Sequence, residues 1–136
     1  GPEIGANLDP SHLFWQGMDP LKVIRALGGE CIFHVHAKDA IIDQINSPVN
    51  GNLDTQSYAD MSKRSWIFRS IGYGHDELFW KEFCSQLRLV GYDYVLSIEH
   101  EDAMLSTNEG LVKACDVLKR AIPFEDTADM SKLHWV

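Results

Sequence analysis

The stretch Ile32-Phe33-His34-Val35-His36-Ala37-Lys38-Asp39 begins as a strand and ends in chemistry. Side chains alternate along an extended chain. Cys31, Phe33, Val35 and Ala37 are therefore expected on one face, and Ile32, His34, His36 and Lys38 on the other. Two imidazoles and an ammonium pack poorly in an ordinary core. They suit the mouth of a site that holds a metal or an anionic oxygen. Two further stretches share this layout of a short apolar run ending in polar groups. One is Ile4-Gly5-Ala6-Asn7-Leu8-Asp9, leading into Pro10-Ser11-His12. The other is Tyr94-Val95-Leu96-Ser97-Ile98-Glu99, leading into His100-Glu101-Asp102. The rest of the chain reads as scaffold that brings these strand ends together.

The scaffold is read from its punctuation. Residues 3–9 form the first strand, and Asp9-Pro10-Ser11-His12 turns the chain at its end. Asp19 caps a helix whose first position is Pro20, with Leu21, Val23, Ile24 and Leu27 as its apolar stripe and Gly28-Gly29 as its stop. Strand two is 31–38, and strand three lies near 66–71, followed by the tight loop Gly72-Tyr73-Gly74-His75-Asp76. Asp76 caps a helix from Glu77 to about Val90, strand four is 93–99, and Ser106-Thr107-Asn108-Glu109 is a capping box for a helix over 107–122. Residues 123–136 read as a loosely attached tail. The order β-α-β-loop-β-α-β-α implies a parallel α/β sheet with helical crossovers, and ligand-type residues at strand C-terminal ends fit an open sheet or a barrel. The connection over 40–65 is long for a compact domain, and its place after the His36 strand predicts a lid over the same end.

Composition narrows the function. The chain has 136 residues, enough for one ordinary domain, with globular proportions of 45% hydrophobic and 24% charged residues. A net charge of −8 with scattered lysines and arginines argues against a nucleic-acid partner. No window is apolar for long enough to span a bilayer, and no basic-then-apolar leader precedes the first strand. Cys31, Cys84 and Cys115 are widely spaced and read as buried thiols of a reducing, cytoplasmic compartment. No GxGxxG or GxxxxGK[ST] is present, so no nucleotide cradle is indicated.

The candidate site residues each have a plainer reading. Asp9 could simply cap its turn, and His12, three residues on, could point back at the same site or sit on the surface. His34 and His36 could both be hydrogen-bonded structural groups, with His36 the better ligand because it is nearer the strand end. Glu99 shares strand parity with Val95 and Ser97; on an interior face it needs a cation as partner. Lys38 and Arg69 are candidate cations for a sugar oxygen or a phosphate, against a solvated or salt-bridged surface role. His75 contacts substrate or supports the Asp76 helix start. Asp, His and Glu from different strands suit Mn²⁺, Mg²⁺, Co²⁺ or Zn²⁺ rather than a structural zinc clasp.

These residues, in this order, resemble the xylose-isomerase-like family of sugar phosphate isomerases and epimerases. The resemblance is carried by Asn7-Leu8-Asp9-Pro10-Ser11-His12-Leu13, by His34-Val35-His36-Ala37-Lys38-Asp39, by Arg64-Ser65-Trp66-Ile67-Phe68-Arg69 with Gly72-Tyr73-Gly74-His75, and by the run from Gly91 to Asp102. It implies a (β/α)8 TIM barrel of which this chain supplies the C-terminal half, strands five to eight. It implies one divalent metal held by Asp9, His36 and Glu99, with a further Glu from strand four, which has no counterpart in these residues. Glu99 would be one acid/base of the proton exchange, and His12, Lys38, Arg69 and His75 would contact a small sugar substrate. A half barrel leaves sheet edges and an apolar face open, which implies self-association into a homo-oligomer. Two other readings remain: a metal-dependent hydrolase or lyase of the same fold, against which the acidic charge counts, and a folded fragment without activity of its own.

Overall fold

The computed structural model describes residues 3–126, so the expected tail lies outside the described residues from 127 onward. Three strands, β1 (Ala6–Leu8), β2 (Ile32–Ala37) and β5 (Leu96–Ile98), form a parallel sheet in the order β1-β2-β5. One face of the sheet is dry. Leu8, Ile32, Val35 and Ala37 pack there against Ile24 of α2 (Pro20–Leu27), Trp80, Phe83 and Leu87 of α4 (Glu77–Leu89), and Ala114 and Leu118 of α5 (Thr107–Ala121). The other face carries Asn7, His34, His36 and Ser97 and stays partly open. Parallel strands with helices on one side only are consistent with half of a barrel. Among the described residues, no helix is long and apolar enough to cross a membrane.

The helix boundaries follow from their caps. Asp19 Oδ1 accepts hydrogen bonds from the backbone N–H groups of Leu21 (3.0 Å) and Lys22 (3.4 Å), and Gly28 ends α2 at φ +74°, where a side chain would be strained. Asp76 accepts from Phe79 N at 2.9 Å, and Ser106 Oγ accepts from Glu109 N at 3.2 Å.

Four expectations need correction. The segment near 66–71 does not join the parallel sheet. β4 (Trp66–Arg69) pairs antiparallel with β3 (Asp39–Ile42), Asp39 opposite Arg69 and Ile42 opposite Trp66. The parallel arc therefore has three strands rather than four, and the hairpin is inserted between β2 and α4. The 40–65 connection is likewise not a plain loop: it begins with β3, carries the short helix α3 (Ser47–Asn50), and lays Tyr58 over Phe68. Third, the face assignment of β2 breaks at its start. Phe33 is 45% exposed and Ile32 is buried, because the register with β1 shifts between Ala6 and Asn7. The irregularity rotates Ile32 into the core while leaving Val35 and Ala37 where alternation puts them. The cysteines also divide: Cys84 is buried, and its thiol is pushed up to about 11 by that burial, whereas Cys31 and Cys115 are exposed.

The inserted hairpin is tied down by one carboxylate. Asp39 is fully buried, and its Oδ2 accepts hydrogen bonds from the backbone N–H groups of Gly72 (3.2 Å), Gly74 (3.0 Å) and His75 (2.8 Å). Its Oδ1 accepts from Ala40 N at 2.9 Å and pairs with His75 Nδ1 at 2.8 Å. Only glycine fits at 74, where a Cβ would sit 2.4 Å from the Ala40 carbonyl oxygen and 2.5 Å from Asp39 Oδ1. Asp39→Ala should leave four backbone amides, those of Ala40, Gly72, Gly74 and His75, without their acceptor. At ~1–3 kcal/mol for each unsatisfied group, a loss of ~3 kcal/mol or more is expected. The urea midpoint reads this; a midpoint equal to wild type would show that water replaces the carboxylate.

Candidate metal centre

β1 delivers Asp9. The chain then turns straight into α1 (Pro10–Trp15), a helix where the sequence had pointed to a turn. Asp9 is its N-cap: Oδ1 accepts from Ser11 N at 2.9 Å and from Ser11 Oγ at 2.6 Å. The two readings of Asp9 are compatible, because its second oxygen faces elsewhere. Oδ2 lies 3.7 Å from His36 Nδ1 and 3.7 Å from His12 Nε2. The cap fixes this carboxylate, and with it the direction of Oδ2.

β2 delivers His36 on the open face. Its Nδ1 is 2.7 Å from Glu99 Oε2, and its Nε2 is 3.3 Å from the Asn7 side-chain amide. Glu99 follows β5, with its backbone N–H donating to Ala37 O at 3.3 Å, so the parallel ladder places it beside His36. One ligand atom each from Asp9, His36 and Glu99 falls within 4.8 Å of the others. Donors on a common ion with bonds of ~2.1 Å lie at most ~4.2 Å apart, so small side-chain adjustments close the set. One nitrogen and two carboxylates form a hard donor set that suits a divalent cation. His34 lies one layer deeper, its Nε2 sharing a 2.7 Å hydrogen bond with Ser97 Oγ, which is a supporting role.

Lys38 closes the site on one side. Its ammonium is 3.1 Å from Glu99 Oε1, 2.5 Å from Glu101 Oε2 and 3.9 Å from the centre of the Phe68 ring, with the residue only 2% exposed. Burial opposes its charge, but hydrogen bonds to Glu101 and Glu99 leave its affinity for the proton above the ordinary lysine value. Glu99 moves the other way. Burial alone would raise it, yet the Lys38 hydrogen bond and charge, with the charges of His36 and His12, hold its carboxyl below the ordinary range. His12 is half exposed, its Nδ1 accepts from Trp15 Nε1 at 3.4 Å, and its ring meets the Phe68 ring edge-on at 5.5 Å.

The remaining sequence candidates stand apart from this cluster. Arg69 Nε donates to Asp102 Oδ2 at 3.2 Å, and His75 is paired with Asp39 and stacked on Phe14 at 3.7 Å between ring centres. Both are engaged in holding the hairpin and its neighbours. Two acids of the sequence motifs, Asp39 and Asp102, carry structural weight that local pattern does not signal. Asp102 Oδ2 also accepts from Ser70 N at 2.7 Å, and its Oδ1 accepts from Met104 N at 2.8 Å.

Comparison with known proteins bears on the family and the fold. The profile of the xylose isomerase-like TIM barrels matches residues 1–121. The chain belongs to the xylose isomerase-like TIM barrel family. An uncharacterized protein of Bacillus subtilis (strain 168), YfiH, is 43% identical over 122 residues, which are 90% of this chain and 39% of that protein. Among solved structures, a xylose isomerase domain protein from Planctomyces limnophilus has a TM-score of 0.64 at 21% identity, over 89% of this chain and 38% of that one. That likeness bears on the barrel fold. The chain thus spans about two-fifths of the length of each of these two proteins.

Asp102 offers a pH test of the wall beside the cluster. Burial opposes its charge, but the Ser70 and Met104 amides and the Arg69 hydrogen bond and charge hold its carboxyl below the usual 3.8. Its contribution is then fully present above pH 3.8 and is lost as pH falls through the lower folded value. Asp102→Asn should destabilise the chain at neutral pH, with the gap to wild type narrowing in stronger acid. Urea unfolding across pH checks this; a gap constant down to the lowest pH would remove the carboxylate charge as the cause.

Proposed function

We propose that the complete protein is a metal-dependent sugar isomerase or epimerase that moves a proton next to a metal-bound carbonyl or hydroxyl. The observation that carries this reading is the convergence of Asp9, His36 and Glu99 within 4.8 Å, with Lys38 against Glu99. A divalent cation held by these residues would polarise a carbonyl or hydroxyl oxygen of the substrate. Asp9 and His36 then serve as fixed ligands, the first oriented by its Ser11 hydrogen bonds and the second by its contact with Asn7. Glu99 has two working oxygens: Oε2 on the His36 side and Oε1 on the Lys38 side. It serves as the base that takes a proton from substrate carbon and returns it. Lys38 keeps Glu99 ionised, so that it is ready to accept that proton. His12, half exposed at the rim, is placed to hydrogen-bond a substrate hydroxyl.

Glu99→Gln keeps the size and one oxygen ligand but removes the base. In the complete enzyme, solvent-deuterium incorporation into the sugar, normalised to metal-loaded protein, should fall by ~10²-fold or more. Titration of this chain with Mn²⁺ should still show binding, weakened in the variant. Incorporation at the wild-type level would leave Glu99 as scaffold and defeat the assignment.

Self-association belongs to the same reading. Ile4, Phe33 and Tyr94 are 84%, 45% and 71% exposed on or beside the strands of the open arc. Sedimentation of this chain should show dimers or larger species. A single monomer across concentrations would contradict the proposal.

A further inference from the structure

The two ring nitrogens of His36 meet different partners. Nδ1 lies 2.7 Å from Glu99 Oε2 and 3.7 Å from Asp9 Oδ2, so it is the nitrogen that faces the candidate metal centre. Nε2 lies 3.3 Å from the side-chain amide nitrogen of Asn7. Asn7 stands two residues before Asp9 on extended chain, so alternation puts both side chains on one face. His34 meets the His36 ring edge-on at 5.4 Å and is itself held by Ser97 Oγ at 2.7 Å. A ring braced in this way keeps Nδ1 toward the two carboxylates.

We infer that Asn7 is a positioning residue: its carboxamide sets which nitrogen of His36 carries the ring proton, and it turns over when a divalent cation takes Nδ1. The turnover rests on the metal-centre reading; the placing of the proton does not. An amide nitrogen donates and does not accept. With Asn7 Nδ2 toward it, Nε2 offers its lone pair, and the neutral ring carries its proton at Nδ1. That proton lies on the 2.7 Å line to Glu99 Oε2, as a hydrogen bond to a carboxylate. A cation needs the Nδ1 lone pair, so this bond must break. Solvent takes the proton from Nδ1 and returns one to Nε2, and the neutral ring keeps a single proton throughout. Nε2 is then a donor in need of an acceptor. Asn7 supplies it by a half-turn of its terminal torsion, which exchanges Nδ2 for Oδ1 at nearly the same shape. Asparagine serves both states because one planar group holds a donor and an acceptor. Aspartate would serve only the second state, and leucine neither.

The test uses this chain with nitrogen-15 in its histidines, at mildly alkaline pH. Ring nitrogen shifts report where the proton sits, and His36→Gln identifies the His36 signals among the six histidines. In the metal-free wild type the proton should be on Nδ1. In Asn7→Asp, whose carboxylate only accepts, it should be on Nε2. Zn²⁺ should move the wild-type proton to Nε2 and leave the Asn7→Asp proton where it is. Asn7→Leu should bind Zn²⁺ at least ~10-fold more weakly, the scale for losing the partner of a metal-ligating histidine, while Asn7→Asp should bind at least as tightly as wild type. Asn7 is exposed, so both variants should fold, and their urea midpoints check this. A metal-free wild-type proton on Nε2, or on both nitrogens, overturns the inference, and so does wild-type Zn²⁺ affinity in Asn7→Leu. Failure of the wild type to bind Zn²⁺ overturns the metal-centre reading and the turnover with it, while the metal-free comparison with Asn7→Asp still decides whether Asn7 places the proton.

Discussion

A buried carboxylate that has no lysine or arginine partner among the described residues organises this fold. Asp39 is fully enclosed, and its charge is met by the backbone amides of Ala40, Gly72, Gly74 and His75 and by the His75 ring. Amide donors compensate such burial when several converge on one group. The consequence is geometric. Asp39 starts β3, the amides of Gly72, Gly74 and His75 belong to the loop before α4, and His75 carries a stack with Phe14 of α1. One side chain therefore fixes the hairpin, the entry to α4 and the helix that Asp9 caps. The candidate metal cluster depends on this arrangement, since Asp9 can aim Oδ2 only as well as α1 is held.

Much of this was legible in sequence, and the failures have physical causes. The open face of β2 was readable because His34 and His36 alternate with Val35 and Ala37, and both core residues are fully buried. The exchange of Ile32 and Phe33 was not readable. It depends on the Phe33 ring lying where a Cβ on Gly5 would be, 2.2 Å from that ring, which is a contact between strands. β3 escaped because a strand of four residues is defined by its partner, and Trp66–Arg69 lies more than twenty residues away. α1 could have been found. Asp9-Pro10 repeats the signal that placed α2 at Asp19-Pro20, and both aspartates cap the following helix.

The candidate site divides along the same line. Asp9, His36 and Glu99 were identifiable because strand ends converge in any parallel arc, whatever the details of packing. Arg69 and His75 carry equally suggestive chemistry, but their partners, Asp102 and Asp39, are 33 and 36 residues distant. Which of several polar residues is free and which is spoken for is a property of long-range pairing. Local pattern does not encode it.

Charge balance links the cluster to its wall. Around the open face, Asp9, Glu99 and Glu101 contribute three formal negative charges and Lys38 one positive charge, while Arg69 and Asp102 cancel. The deficit is two positive charges, the charge of one divalent cation. Lys38 lies at 2.5 Å from Glu101 and 3.1 Å from Glu99, so its charge is directed more to Glu101 than to Glu99. That bias matters for a base. Were Lys38 paired with Glu99 alone, protonation of Glu99 by substrate would strand a buried ammonium, at several kcal/mol. With Glu101 as its closer partner, Lys38 stays compensated whether Glu99 carries the proton or not. In the proposed reaction, Glu101 would thus lower the cost of a proton transfer to Glu99.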